Sequence, residues 1–226
     1  MARLARQSPA AAEIDPGWIG AADRPSWQCF PALTAEGLPH GFSLRSRTAG
    51  RPPPVRDLGM DPDRLVEAEQ THGNGIAFVE TPEPLFYPDV DGLLTACRGV
   101  ALKIRVADCA AVYLFDPEIP AVGLVHSGRK GSEAQIVRKA IQGFRSRWGS
   151  PAERLILQVS PCIRPPHYEV DFAQQIREQA LDAGVRAFFD CGICTACHLD
   201  RYFSFRAEKG VTGRIWAVTM LPTCRS

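Results

Sequence analysis

Residues 99–149 read GVALKIRVADCAAVYLFDPEIPAVGLVHSGRKGSEAQIVRKAIQGFRSRWG. Three short apolar runs, 99–104, 111–115 and 121–125, are each bounded by Gly, Pro, Asp or charge. Their length suits strands rather than helices. The pattern then changes period. Ile136, Val137, Ala140, Ile141 and Phe144 fall on one helical face, and Gly149-Ser150-Pro151 stops the run. Ser132, with Gln135 three residues on, reads as a capping box opening this helix.

Outward from this stretch the same alternation continues. Another apolar run covers 76–79, and 155–159 and 215–221 return as strands. Asp171 reads as the cap of a second helix, with Ile176, Ala180 and Ala183 inward and Gly184 at its C-terminal end. Interleaved strands and helices without internal repeats define one α/β (α+β) domain of layered mixed sheets flanked by helices. Residues 1–37 show no sustained period and carry several prolines. They read as an extended arm, so the expected boundaries are an arm over 1–37 and a catalytic domain over 38–226. Pro52-Pro53-Pro54 marks a rigid connector.

Composition narrows the partners. The 26 basic and 25 acidic residues nearly cancel, which argues against nucleic acid or an anionic membrane. No apolar run approaches the roughly 20 residues of a membrane span. Residues 1–16 lack a continuous apolar core of a secretion signal, so a cytoplasmic protein is expected. Of the eight cysteines, Cys29, Cys97, Cys162 and Cys224 are scattered and read as small buried residues.

Three segments carry chemistry: Gln70-Thr71-His72-Gly73, Ala107-Asp108-Cys109, and His126-Ser127-Gly128-Arg129-Lys130-Gly131. Two imidazoles and a thiolate from His72, Cys109 and His126 form a borderline-soft set suited to zinc, with a fourth tetrahedral position left open. Zinc in such a site lowers the pKa of bound water to about 7. Copper (Cu2+) accepts the same donors. Spacing alone does not join these residues, since a lone His or Cys beside a strand serves equally well as packing.

Further short stretches extend the pattern. They are His40-Gly41-Phe42-Ser43-x-Arg45, Asp91-Gly92-Leu93-Leu94-Thr95, Pro161-Cys162-Ile163, Tyr168-Glu169-Val170, Cys194-Thr195, Phe203-Ser204-Phe205-Arg206 and Gly213-Arg214. Together with the three segments above, and in this order, they resemble the laccase-domain (polyphenol-oxidase-like) family, whose better-studied members act on purine nucleosides. The resemblance implies a laccase-domain, cysteine-hydrolase-like fold and a metal at His72, Cys109 and His126, usually zinc (Zn2+). It implies purine nucleoside phosphorolysis, adenosine deamination and methylthioadenosine phosphorolysis, with a purine nucleoside and phosphate as partners. The expected catalytic residues are Cys109, His126 and Asp108, with Asp108 orienting a metal-bound His. Arg45, Gln70, Arg129 and Arg206 are the expected substrate-binding set, the arginines suiting phosphate. A helix beginning after Gly131 would favour an anion. The extended arm suits a homodimer.

The sequence also departs from the family. Arg129-Lys130 stands where Trp-Arg is usual, removing an aromatic wall. Val106 replaces Thr, Ser160 replaces Gly, and the 45–70 segment is short. Three alternatives stay open: a Cys109–His126 thiolate–imidazolium hydrolase dyad of the peptidoglycan-precursor-editing type, a copper polyphenol oxidase, and a binding module with a vestigial site. No Cys-His-Met set or His-x-His pair supports the copper oxidase. Cys194-Thr195-Ala196-Cys197-His198 matches a haem-attachment pattern, but no export signal accompanies it. A structural zinc there lacks a second paired Cys motif. The run from Gly123 to Lys130 misses a P-loop, with Arg129 where Lys belongs and Lys130 where Ser or Thr belongs. The His-x-Glu and Pro-Cys-x-x-Cys signature of cytidine deaminases is absent.

Overall fold

The 99–149 stretch builds the centre of the molecule, and the rest of the chain closes around it. A computed structural model of the protein describes residues 17–21, 24–45 and 53–223. In chain order the strands are β1 (Gly17–Ala21), β2 (Arg24–Cys29), β3 (His40–Ser43), β4 (Leu65–Ala68), β5 (Ile76–Phe78), β6 (Phe86–Tyr87) and β7 (Gly92–Thr95). They continue with β8 (Ala101–Val106), β9 (Ala110–Asp116), β10 (Ala121–Ser127), β11 (Ile156–Val159), β12 (Ala187–Asp190) and β13 (Ile215–Met220). The helices are α1 (Pro31–Thr34), α2 (Arg129–Glu133), α3 (Ile136–Trp148) and α4 (Phe172–Asp182).

Two mixed sheets result. The first has the order β1-β2-β3-β13-β8-β4-β6, and the second β12-β11-β9-β10-β7-β5. Antiparallel pairs β13–β8 and β9–β10 form their centres, with parallel strands β4 and β5 towards one side. The layered α/β class expected from the sequence is therefore the observed one.

Burial explains why the apolar runs are continuous rather than alternating. On β9, Ala111, Tyr113 and Phe115 face the first sheet, where they meet Phe42, Ile104 and Ala217. Ala110, Val112 and Leu114 face the other way and pack under Val137, Ile141 and Phe144 of α3 and Ile176 of α4. A strand covered on both faces needs no polar side. The two sheets are also tied by a buried hydrogen bond, Tyr113 Oη donating to the Gly41 carbonyl at 2.8 Å.

Three sequence readings need correction. The arm is extended, but from Gly17 onward it forms the edge of the first sheet. β2 pairs with β1 and β3, and Trp27, Phe30 and Leu33 are core residues. A segment that buries a Trp and two more large side chains gains far more by docking than by staying free. Residues 1–16 lie outside the described residues. The capping box also does not form. The chain enters a short helix already at Gly128, and Gln135 breaks it with φ +57° before α3 starts. Ser132 instead meets Ser127, Oγ to Oγ at 2.9 Å, and its carbonyl accepts from Gln179 Nε2 at 2.7 Å. The helix expected after Gly131 thus starts three residues earlier, at Arg129, and is five residues long. Cys97, read as buried, is half-buried and donates to the Glu80 carbonyl. Cys224, Pro52 and residues 46–51 of the short segment lie outside the described residues. No helix among the described residues is long and apolar enough to cross a membrane.

Other expectations stand. Asp171 accepts from Gln174 N at 3.0 Å and caps α4, and Gly184 turns out of it with φ +100°. Gly149, at φ +70°, ends α3 in the left-handed conformation that Gly adopts without a Cβ penalty.

Candidate metal centre

Three connections place the donors. His72 stands on the crossing from β4 in the first sheet to β5 in the second. Cys109 stands on the crossing from β8 to β9, again from one sheet to the other, and His126 is the penultimate residue of β10. The structure brings His72, Cys109 and His126 together, with one ligand atom of each lying within 4.8 Å of the others. The two imidazoles meet edge to face, with centroids 4.8 Å apart.

A buried carboxylate fixes this arrangement. Asp91 Oδ1 is 2.7 Å from His126 Nδ1 and accepts the His72 backbone N–H at 2.9 Å. Its Oδ2 accepts the Gly73 N–H at 2.8 Å and the Thr71 hydroxyl at 3.2 Å. These bonds hold His72 in its left-handed conformation, φ +62°. Burial alone would raise the Asp91 pKa, but the His126 and backbone hydrogen bonds outweigh it and hold the carboxyl below its usual range. Because Nδ1 of His126 is engaged, Nε2 is the nitrogen left to serve as a donor.

The electrostatics favour an anionic sulfur. Burial pushes the Cys109 thiol up, but the neighbouring His126 and His72 outweigh that and bring it down to about 6. Burial by itself lowers His126, yet Asp91 and Cys109 carry it up to about 9. Space is also reserved for the sulfur. A Cβ on Gly128 would lie 2.5 Å from Cys109 Sγ, so any larger residue there must push the sulfur aside. One thiolate, two imidazoles and a carboxylate behind one of them fit a divalent zinc-class ion.

The centre lies in a cleft of about 1210 Å³. Lys130, Arg129, Arg206 and Arg214 line it, as do Tyr168, Phe172 and Phe205. These three rings are the aromatic part of the lining, and with Arg129 where the family usually has Trp no indole is among the described lining residues.

The remaining predicted site residues divide. Asp108 does not orient either imidazole. Its Oδ1 accepts from Thr195 Oγ1 and its Oδ2 from the Arg206 backbone N–H, both at 2.7 Å, so the carboxylate that acts on His126 is Asp91. Arg45 turns away from the cleft and pairs with Glu208 at 2.8 Å while lying over Phe203. Gln70 lines the cleft, but its amide is spent on Arg105, donating to its carbonyl at 2.6 Å and accepting its N–H at 2.7 Å. Arg129 and Arg206 both reach the rim, where both pair with Glu169. The sequence reading gives Asp91 no role, although it opens one of the quoted stretches. An acid 35 residues from its imidazole carries no local signal.

A two-layer mixed-sheet domain with a His–Cys–His centre at the crossings between its sheets is a candidate metalloprotein of a specific fold class. The crystal structure of YlmD from Geobacillus stearothermophilus shares that fold, with a TM-score of 0.82 over 92% of this chain and 100% of that one, at 23% identity. The chain belongs to the family described as multi-copper polyphenol oxidoreductase laccase, which matches residues 50–174 and 167–222. A protein named purine nucleoside phosphorylase from Deinococcus radiodurans is 32% identical, over 85% of this chain and 94% of its own length. Another of that name from Streptomyces coelicolor is 33% identical over 64% of this chain, and the match spans only 59% of that relative.

Proposed function

We propose that this chain is a zinc-dependent purine nucleoside phosphorylase, with adenosine deamination and methylthioadenosine phosphorolysis as further reactions of the same cleft. The observation that carries this reading is the meeting of one thiol and two imidazole donors on a cleft lined with both aromatic rings and cations. The relatives' names point the same way. His72, Cys109 and His126 would hold the ion, and Asp91 would keep the His126 ring in the tautomer that presents Nε2. When bound, zinc supplies Lewis-acid polarisation at the cleft.

The chain's own groups account for the rest. Tyr168 and Phe205, over which Arg206 and Arg214 lie, offer their remaining faces to a stacked purine. Arg129 and Lys130, in the first turn of α2 just beyond the His126 strand, line the cleft and would hold a phosphate close to the centre. Phosphorolysis then forms a bond from a phosphate oxygen to C1′ as the C1′–N9 bond breaks, its electron pair leaving on the purine. The cleft's contribution is alignment of the two reactants and neutralisation of phosphate charge. A cytoplasmic homodimer is the setting this reading supposes.

The test is elemental analysis of untagged protein beside His72→Ala, Cys109→Ala and His126→Ala, followed by turnover of inosine and adenosine with and without phosphate. The reading expects zinc at this centre, lost in all three variants, and free base released only when phosphate is present. Metal at this centre untouched by all three substitutions would overturn it.

A second reading is favoured by one specific contact order. Asp91, His126 and Cys109 follow one another as acid, imidazole and thiol, the arrangement of a cysteine hydrolase. Alkylation of metal-free protein separates the two. A hydrolase dyad stays active without metal and is killed by alkylation of Cys109, whereas a phosphorylase centre is already silent once the metal is gone.

A further inference from the structure

The cysteine cluster that the sequence left without a partner acquires one in the fold. Cys194 precedes and Cys197 closes the turn Thr195–Cys197, where the Cys197 N–H donates to the Cys194 carbonyl at 3.2 Å. The imidazole that meets their sulfurs belongs to His167, not to the adjacent His198. His167 Nδ1 lies 3.8 Å from Cys194 Sγ and 3.5 Å from Cys197 Sγ. All three donor atoms fall within 4.8 Å of one another.

A neutral imidazole nitrogen offers one lone pair and accepts from one S–H, which leaves the second sulfur to bond with the first thiol. A tetrahedral cation instead engages both sulfurs and the nitrogen at once. With metal–sulfur bonds of about 2.3 Å and metal–nitrogen bonds of about 2.0–2.1 Å, the sulfur–nitrogen edge of the tetrahedron is about 3.6 Å. The two observed separations bracket that value.

The scaffold around the group is already tied. Cys162 and Cys194 form a β-bridge, with Cys162 N–H donating to the Ile193 carbonyl and Thr195 N–H to that of Cys162. The His167 N–H donates to the Arg164 carbonyl at 2.9 Å, and Arg164 in turn pairs with Asp190. Cys194 is buried while Cys197 and His167 are exposed, so an ion can enter from solvent and keep water as its fourth ligand.

We propose that His167, Cys194 and Cys197 form a second metal site, taking one thiophilic divalent cation of the zinc class. Binding releases the thiol protons to solvent and leaves two sulfur–metal bonds and one nitrogen–metal bond. The ion braces the connection carrying Tyr168 and Glu169, which follow His167 directly, against the 194–197 turn. That turn is itself joined to the first centre's neighbourhood through Thr195 and Asp108.

The proposal is independent of what the first centre does, and the experiment keeps the two apart. Untagged Cys109→Ala protein, in which the first centre has lost its thiolate, is dialysed against zinc, freed of excess and analysed for metal. About one zinc per chain is expected to remain, and to be lost on adding either His167→Ala or Cys197→Ser. Cobalt(II) loading of Cys109→Ala should show thiolate-to-cobalt charge-transfer absorption that Cys197→Ser removes. A metal-free, band-free Cys109→Ala protein would overturn the site, as would a mass two hydrogens short that maps to a Cys194–Cys197 disulfide. Should Cys109→Ala not fold, the wild type decides. Two zinc per chain falling to one with Cys197→Ser supports the site, and a count unmoved by both exposed-residue variants refutes it.

Discussion

Asp91 shows how much one buried side chain can organise. It takes hydrogen bonds from the His126 ring, from two backbone N–H groups around His72 and from Thr71. Asp91→Asn keeps the size and every proposed metal donor, yet forfeits the anionic acceptor. We expect affinity for the proposed metal at this centre to fall about 10–100-fold, read with zinc by competition with a chromogenic chelator. Unchanged affinity would show that packing alone holds the imidazole. His40 is a second residue whose protonation state is set by the backbone. Its Nε2 accepts the Phe30 N–H and its Nδ1 faces the Leu38 carbonyl, both at 2.7 Å, and burial lowers its pKa to about 4. The unfolded chain, with an ordinary His near 6.5, binds this proton first as pH falls. Stability from neutral His40 is therefore complete above about 6.5 and lost as pH drops towards 4, by at most about 3 kcal/mol. His40→Asn should be less stable at pH 7 but show a flatter decline between pH 6.5 and 4 in urea titrations. An equally steep decline would assign the acid sensitivity to other groups.

At the scale of elements, legibility follows locality. The central strands and α3 are readable because their apolar residues are contiguous or follow the helical period, and each run is long enough to show it. β7 is not, since Gly92–Thr95 becomes a strand through pairing with Ala121–Ser127 on one side and Ile76–Phe78 on the other. The same reason hides Asp91 and His167, whose partners lie 35 and about 30 residues away. His72, Cys109 and His126 could be picked out by donor type and by the family resemblance, whereas Arg45 and Asp108 bear suitable groups that the fold spends elsewhere. The turn from β10 into α2 carries a prediction of its own. Gly128 has φ −103°, so its need for Gly is steric rather than conformational. Gly128→Ala should displace the Cys109 sulfur and lower metal occupancy while leaving the far-ultraviolet spectrum intact. Full occupancy in that variant would mean that the sulfur can yield by a rotation.

For the whole molecule, the two sheets and the helices make three apolar layers, and the outermost depends on the N-terminal strands. Trp27 packs with Leu58, Met60 and Val218 on the outer face of the first sheet, and its Nε1–H donates to the Pro54 carbonyl. Trp27→Ala should cost about 3–5 kcal/mol. It should appear as a lower urea midpoint with the slope retained. A loss under 1 kcal/mol would return the segment to the status of a dispensable arm.

His72 and Cys109 both sit where the chain passes from one sheet to the other, and this gives the centre a mechanical meaning. An ion gripped by both crossings, as proposed for this centre, would be a rivet through the seam between layers. Pulling it out leaves each layer's own hydrogen-bonded ladder intact but frees the layers to part at that edge. Amide deuteration after chelation should therefore quicken first along β4, β5 and the start of β9, and the far edges of both sheets should keep their original pace.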